Sequence, residues 1–400
     1  MSLADKIRER LSPATAFSLR YYRAQLKAFR DQAPADKKHF ANDHRPHVAV
    51  FEDLLPRPDR DAGSARMMFI LQALTSWAHP VFFTTANVTW PEYEELLWRE
   101  GIETASALNY KQFFRERDFK AVILSRPWVA SALLDRIRKE APKVKIVFDM
   151  IDVHFIRTAR EAKLTGDPRF ARESEKMRRM EIAVARGVDF LWFASPVDQQ
   201  IMQQEAPGIP SVIIPTIHSM HERDLPFSQR EHLLFVGQFN HRPNVDSVHF
   251  LAREVMPLLR QEIPGLELIV VGSNAPAEFN RYQSSGVKVL GYVPSLDQLM
   301  ASSRVFVAPI RFGAGVNGKI GESLSYGLPV VTTTLGARGW GFESDRQVLV
   351  ADDPVEYAQQ VLRLYRDEVL WRDLSAAGYL HIREHNTPEV VGRIVNESID

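Results

Sequence analysis

Two doubly wound α/β domains with parallel sheets, facing a cleft and preceded by a helical extension, are predicted by three features of the 400-residue sequence. From His47 onward, short β-branched apolar runs alternate with helix-length segments. The alternation stops at a polar stretch, 216–230. The same grammar then restarts. Continuous apolar runs separated by helical segments suit parallel strands, whose crossover connections cover both faces of the sheet. The length allows two or three cores at about 150 residues each.

Residues 1–46 stand apart from the rest. They carry ten Lys or Arg against five Asp or Glu, and segments 3–11 and 15–31 read as amphipathic helices. A solvated helical extension is the plain reading; peripheral contact with an anionic membrane surface or a partner protein is the sharper one. The first domain, 47–215, has strands at 47–51, 80–84, 120–125, 144–149, 188–195 and 211–215, with helices near 64–77, 128–140 and 168–187. Residues 216–230, TIHSMHERDLPFSQR, form the linker. The second domain, 231–385, has strands at 233–237, 267–272, 287–290, 304–309, 329–333 and 347–351. Its helices fall near 244–262, 296–302, 318–326, 353–366 and 369–383. Residues 386–400 are expected to form a C-terminal helix that packs back on the first domain.

Composition narrows the function. Fifty basic side chains balance fifty acidic ones, which argues against a nucleic-acid partner. There is no cysteine, hence no disulfide framework, thiolate metal site or cysteine nucleophile. No apolar run is long enough to span a bilayer, and MSLADKIRERL lacks the apolar core of a signal peptide. The expected setting is the cytoplasm, with peripheral contact at the inner face of the membrane as a further expectation.

The most informative stretch is APIRFGAGVNGKIGESLSYGLPVV, 308–331. It starts at the carboxyl end of a strand, crowds Gly313, Gly315, Gly318 and Gly321 into nine residues, and runs into a helix ended by Gly327. Glycines at such a turn let backbone N–H groups approach an anion, and the helix N-terminus adds partial positive charge, which favours a diphosphate. Lys319 in the first helical turn adds a full charge. Glu322, at i+3 on the same face, would repel phosphate; two vicinal sugar hydroxyls are its natural partners. No Ser or Thr follows the lysine, so this is not a Walker loop.

These residues resemble the donor-binding signature of the GT-B fold retaining glycosyltransferases of family 4 (glycosyl transferases group 1), and motif placement extends the resemblance over roughly 47–385. It implies two Rossmann-like domains and a nucleotide-diphosphate sugar as co-substrate. Gly313, Gly315, Val316, Asn317, Ile320 and Glu322 would then line the donor, with Glu322 on the ribose. Many members carry a first Glu where this chain has Ala314; Arg311 or backbone amides of the 313–316 loop are the expected substitutes. In LLFVGQFNHRPNVDSVHFL, Arg242 matches the residue that contacts the donor phosphates. VLGYVPSLDQL places Tyr292 and Val293 near the nucleobase, and ELIVVGSN places Gly272 at the donor cleft.

In the first domain, Gly63 with Ser64, ahead of Arg66, resembles the family's loop against the donor phosphates. Asp152 and His154 in FDMIDVHFIRTARE are the candidates near the transferred sugar. Arg126 is expected to reach the acceptor, and Ser195 to cap a helix. Asp59-Arg60-Asp61 imitates an Asp-x-Asp metal motif but lies in a Pro-rich loop. The implied reaction is transfer with retention of configuration to a saccharide or lipid-linked saccharide, without a divalent metal. Lys319 and Arg242 would stabilise the departing diphosphate, and the setting would be bacterial surface polysaccharide or lipopolysaccharide assembly. A nucleotide-sugar epimerase and a non-catalytic partner protein on the same fold are the alternatives.

Overall fold

The computed structural model describes residues 43–60, 62–85, 90–222, 225–312 and 315–399. The expected helices at 3–11 and 15–31, Gly313, Ala314 and Asp61 lie outside them. The chain divides into two compact units. The first takes the residues up to Ala194, Asp198–Pro215 and those from Val391 on; the second takes Ser195–Val197 and Thr216–Val390.

The first unit holds a seven-stranded parallel sheet of β1 (His47–Glu52), β2 (His79–Thr84), β3 (Glu103–Ser106), β4 (Phe119–Ser125), β5 (Lys145–Met150), β6 (Phe190–Phe193) and β7 (Ser211–Ile213), in the order β3-β2-β1-β4-β5-β6-β7. In register, Val50 opposes Phe82 on one side and Ile123 on the other. Both pleat faces are buried: Ala49, Phe51, Val122 and Leu124 join one apolar cluster, while Val48, Val50 and Ile123, pointing the other way, are equally buried.

The second unit holds a six-stranded parallel sheet of β8 (Glu231–Val236), β9 (Leu268–Val271), β10 (Val287–Gly291), β11 (Ser303–Ala308), β12 (Val330–Thr332) and β13 (Leu349–Val350), in the order β10-β9-β8-β11-β12-β13. Its faces separate cleanly. Leu233, Phe235, Val305 and Val307 enter one cluster, and Leu234, Phe306, Ala308 and Val330 enter another. Each sheet is thus a doubly wound, Rossmann-like layer, with its order reversing between β1 and β4 in one and between β8 and β11 in the other.

One part of the chain differs from its sequence reading. The polar stretch 216–230 belongs to the second unit, where His218 N–H donates to Asn386 O at 2.8 Å and Arg230, fully buried, donates to Leu225 O, Met300 O and Ser303 O. The Pro388–Ile399 helix starts in the second unit and finishes in the first, where Ser398 Oγ accepts from Trp192 Nε1 at 2.9 Å and Asn396 Oδ1 accepts from Trp77 Nε1 at 2.7 Å. Among the described residues no helix is long and apolar enough to cross a membrane.

Candidate functional site

In doubly wound sheets ligands bind beyond the carboxyl ends of the strands, where the order reverses. In the second unit that point lies between β8 and β11. The loop after β11 leads into the Gly318–Ser325 helix, and the loop after β8 leads into the Arg242–Phe250 helix. Gly315 has φ 74°, and its carbonyl presses on Gly339, where a Cβ would sit 2.7 Å away. Trp340 Nε1 donates to Asn317 O at 3.1 Å. Backbone contacts thus fix the turn. Asn317, at the helix N-cap, is extended (φ −82°, ψ 95°) and makes no side-chain cap bond, which leaves first-turn N–H groups for another acceptor. Ile320 differs from its expected role: its side chain is in the core, and its N–H donates to Asn317 O at 3.1 Å. Val316 packs half-buried against the same cluster.

Lys319 is half-buried. Its Nζ donates to Asn244 Oδ1 at 2.6 Å and lies 5.0 Å from the Phe235 ring centre. Among the described residues no carboxylate pairs with it, and desolvation pulls its ammonium down to about 7. One turn on, Glu322 Oε2 lies 3.1 Å from His218 Nδ1, while His218 Nε2 meets Thr216 Oγ1 at 3.2 Å. Gly321 makes this possible, since a Cβ there would meet Trp340 at 2.3 Å and His218 Nε2 at 2.4 Å. Neither His218 nor Asn244 was flagged by its sequence context.

Arg311, an expected substitute for the missing Glu, is taken by a fork with Asp246 (2.8 and 2.5 Å) and stacks on Phe250. Arg242 opens the Arg242–Phe250 helix and is exposed. Gly272 has a packing reason to be glycine. At φ 145° its Cβ would fall 1.7 Å from Gly237 O, where the chain leaving β9 passes the chain leaving β8. Val293 is half-buried beside Tyr292, which is 71% exposed.

In the first unit the reversal point holds a cavity of about 230 Å³, lined on its polar side by Glu52, Asp53, Arg57, Ser64, Arg126 and Trp128, with Gly63 at its edge. Arg126 sits at φ 72°, a left-handed conformation costly for a non-glycine, and donates to Glu52 Oε1 at 2.9 Å. Arg66 is buried and structural: it grips Asp149 through both terminal nitrogens (3.0 and 2.9 Å) and donates to Ile214 O.

Asp152 and His154, the candidates near the transferred sugar, are both buried. His154, 2% exposed, heads the His154–Thr165 helix, with Nδ1 near Asp152 O, Asp152 Oδ1 and Glu181 Oε1 at 3.0–3.2 Å. Glu181 caps that helix by accepting from the N–H groups of His154 and Phe155. Burial opposes ionisation of Asp152, yet His154, Arg157 and Arg126 hold its carboxyl below the usual range. Asp198 is pushed up to about 7 by burial and by the charges of Asp152 and Glu181. These residues form a buried network that meets the cavity's lining where the His154 ring lies 5.2 Å from that of Trp128. Ser195 Oγ accepts from Val197 N–H at 3.1 Å, capping the Pro196–Glu205 helix. Asp59 is held by Tyr93 and Arg60, and among the described residues no group of three or more His, Asp or Glu could hold a metal.

Residues 230–367 match the family described as glycosyl transferases group 1. An uncharacterized 44.6 kDa protein in the cps region of Klebsiella pneumoniae is 23% identical over 177 residues, covering 42% of this chain and 45% of that protein, so the match spans less than half of that curated relative. Among solved structures, sucrose-phosphate synthase from Thermosynechococcus elongatus superposes with a TM-score of 0.66 at 14% identity, over 88% of this chain and 98% of that one. Anabaena Alr3699/HepE in complex with UDP-glucose gives 0.65 at 12% identity, over 88% and 99%. The fold is shared with these proteins, and it is GT-B.

Proposed function

We infer, from a chain whose residues 230–367 match the glycosyl transferases group 1 family, that the protein transfers a sugar from a nucleotide-diphosphate donor to a saccharide or lipid-linked saccharide. The observation that carries this is Lys319, a cation with no carboxylate partner among the described residues, in the first turn of a helix whose N-terminus has no side-chain cap, with Glu322 one turn on. That combination suits a diphosphate followed by a ribose diol. The complex of the Anabaena protein with UDP-glucose and the cps-region relative support the donor class and a surface-polysaccharide setting.

In this reading Lys319, the first-turn N–H groups and Arg242 stabilise charge on the diphosphate oxygen as its bond to the anomeric carbon breaks. The acceptor oxygen attacks from the same face and passes its proton to the departing phosphate, so configuration is retained without a covalent enzyme intermediate. These cations take the role a divalent metal would otherwise fill. The cavity at Glu52, Arg126 and Trp128 is the acceptor subsite, offering carboxylate and guanidinium partners for hydroxyls beside an aromatic wall.

The test is a panel of nucleotide sugars screened for hydrolysis and for thermal stabilisation, with the anomeric configuration of any transferred sugar read by NMR. At least one donor should be turned over, and Lys319→Ala should lose that turnover while staying folded. Failure of every donor to stabilise or react rejects the proposal; an inverted product rejects the retaining route alone.

A further inference from the structure

We propose that Asn244 is the positioning residue of the donor site, holding the Lys319 ammonium with an uncharged acceptor so that its charge is left for the diphosphate. This rests on the reading of Lys319 as a diphosphate ligand.

The amide of Asn244 has one orientation open to it. Its Nδ2 donates to Gln238 O at 2.7 Å, so its Oδ1 faces Lys319 Nζ at 2.6 Å; a lysine ammonium can only donate, and a flipped amide would set donor against donor. Gly237 leaves room for this arrangement, since a Cβ there would meet Asn244 Cγ at 2.8 Å. Asn244 thereby ties the loop after β8 to the helix after β11, the two segments flanking the reversal point of the sheet.

Among the described residues, the charged groups on the elements that meet the lysine have partners of their own or are exposed. On the Arg242–Phe250 helix, Asp246 is forked by Arg311, and Arg242 and the preceding His241 are exposed. On the lysine's own helix, Glu322 meets His218. Strand β8 offers the Phe235 ring. An aspartate at 244 would have the same shape and would neutralise the lysine permanently, while adding a charge that repels phosphate. Asparagine leaves an ammonium that desolvation holds at about 7, ready to charge fully when an anion arrives. Diphosphate binding above neutral pH therefore takes up a proton.

The experiment is isothermal titration of the full chain with UDP, GDP, ADP and dTDP at pH 8, in two buffers of different ionisation enthalpy to count protons, carried forward with the tightest binder. At that pH the free diphosphates are fully ionised, so uptake reports on the protein. The wild type should take up close to one proton per nucleotide. Asn244→Asp should bind about tenfold more weakly or worse, the scale of one charge-assisted hydrogen bond, with uptake near zero. Asn244→Ser, which keeps an uncharged acceptor, should retain the uptake with a smaller loss of affinity. A wild type that binds without proton uptake, or an Asn244→Asp protein that keeps both affinity and uptake, overturns the proposal and leaves Lys319 as a ligand if Lys319→Ala abolishes binding. If no diphosphate binds, or Lys319→Ala binds as the wild type does, the reading of Lys319 itself falls and the proposal with it.

Discussion

His218 Nδ1 lies 3.1 Å from Glu322 Oε2, and the residue before that glutamate, Gly321, is the position where a Cβ would strike the other imidazole nitrogen at 2.4 Å. The histidine is anchored by its own backbone, which donates to Asn386 O at 2.8 Å. Glycine at 321 thus leaves the space in which an imidazole steers the carboxylate.

His218→Ala should weaken nucleoside diphosphate binding about tenfold, because Glu322 loses its partner and its preferred rotamer, and should cost about 1–3 kcal/mol of stability. Gly321→Ala should give the same loss of affinity by displacing the ring. Titration calorimetry beside denaturant melts separates the two effects. Unchanged affinity in both variants would show that the ring does not steer Glu322.

Lys319→Met should raise stability below pH 7 and flatten its pH dependence. The ammonium's ordinary value is 10.5 and its folded value about 7. Between these the unfolded chain binds more protons, so wild-type stability should climb as pH rises through that window, and the full cost is present below it. The methionine has no proton to lose. Melting temperatures at pH 6 and pH 10 check the sign, while turnover of donor should vanish in the same variant.

Asp198 carries the opposite dependence. Its carboxyl is pushed from 3.8 up to about 7, first by burial and then by Asp152. The native protein holds that proton where the unfolded chain has lost it, so stability should fall as pH rises from about 4 to 7. Asp198→Asn should remove this slope and leave the protein more stable than the wild type at pH 8. Melts across pH 5–8 decide it.

Gly272→Ala should be severely destabilising, by more than about 3 kcal/mol, because the added carbon falls 1.7 Å from Gly237 O in a backbone conformation that other residues rarely adopt. Soluble yield and urea unfolding are the measurements. A mild effect would mean that the crossing of the chains leaving β8 and β9 can relax.

Most of the fold was legible because parallel strands buried on both faces write themselves as continuous apolar runs. LLFVG and RVFVAP fall within one or two residues of β8 and β11. The strand left unread, β3 with sequence ETAS, lies at the sheet edge, where one side needs no apolar partner. Lys319 and Glu322 could be found because one helix turn joins them. Their partners could not, since Asn244 is 75 residues from Lys319 and His218 is 104 from Glu322. The acidic and basic crowding around Asp152 and His154 was visible, but its burial was not: an internal network and a substrate-facing one use the same residue types. The end of the strand before Arg126 was legible at 125, while the left-handed backbone of Arg126 itself leaves no mark on composition.

The helix Pro388–Ile399 has a consequence for how the molecule is made. Trp77 and Trp192 find their indole partners, Asn396 and Ser398, 319 and 206 residues further along the chain, beyond the whole of the second unit's sheet. The first unit, though most of it precedes the second in the chain, stays unfinished until the second has been made, and a nascent chain stalled anywhere before residue 396 leaves both indoles without those partners. Quality control that samples such intermediates would see an amino-terminal half that is mostly folded and still incomplete.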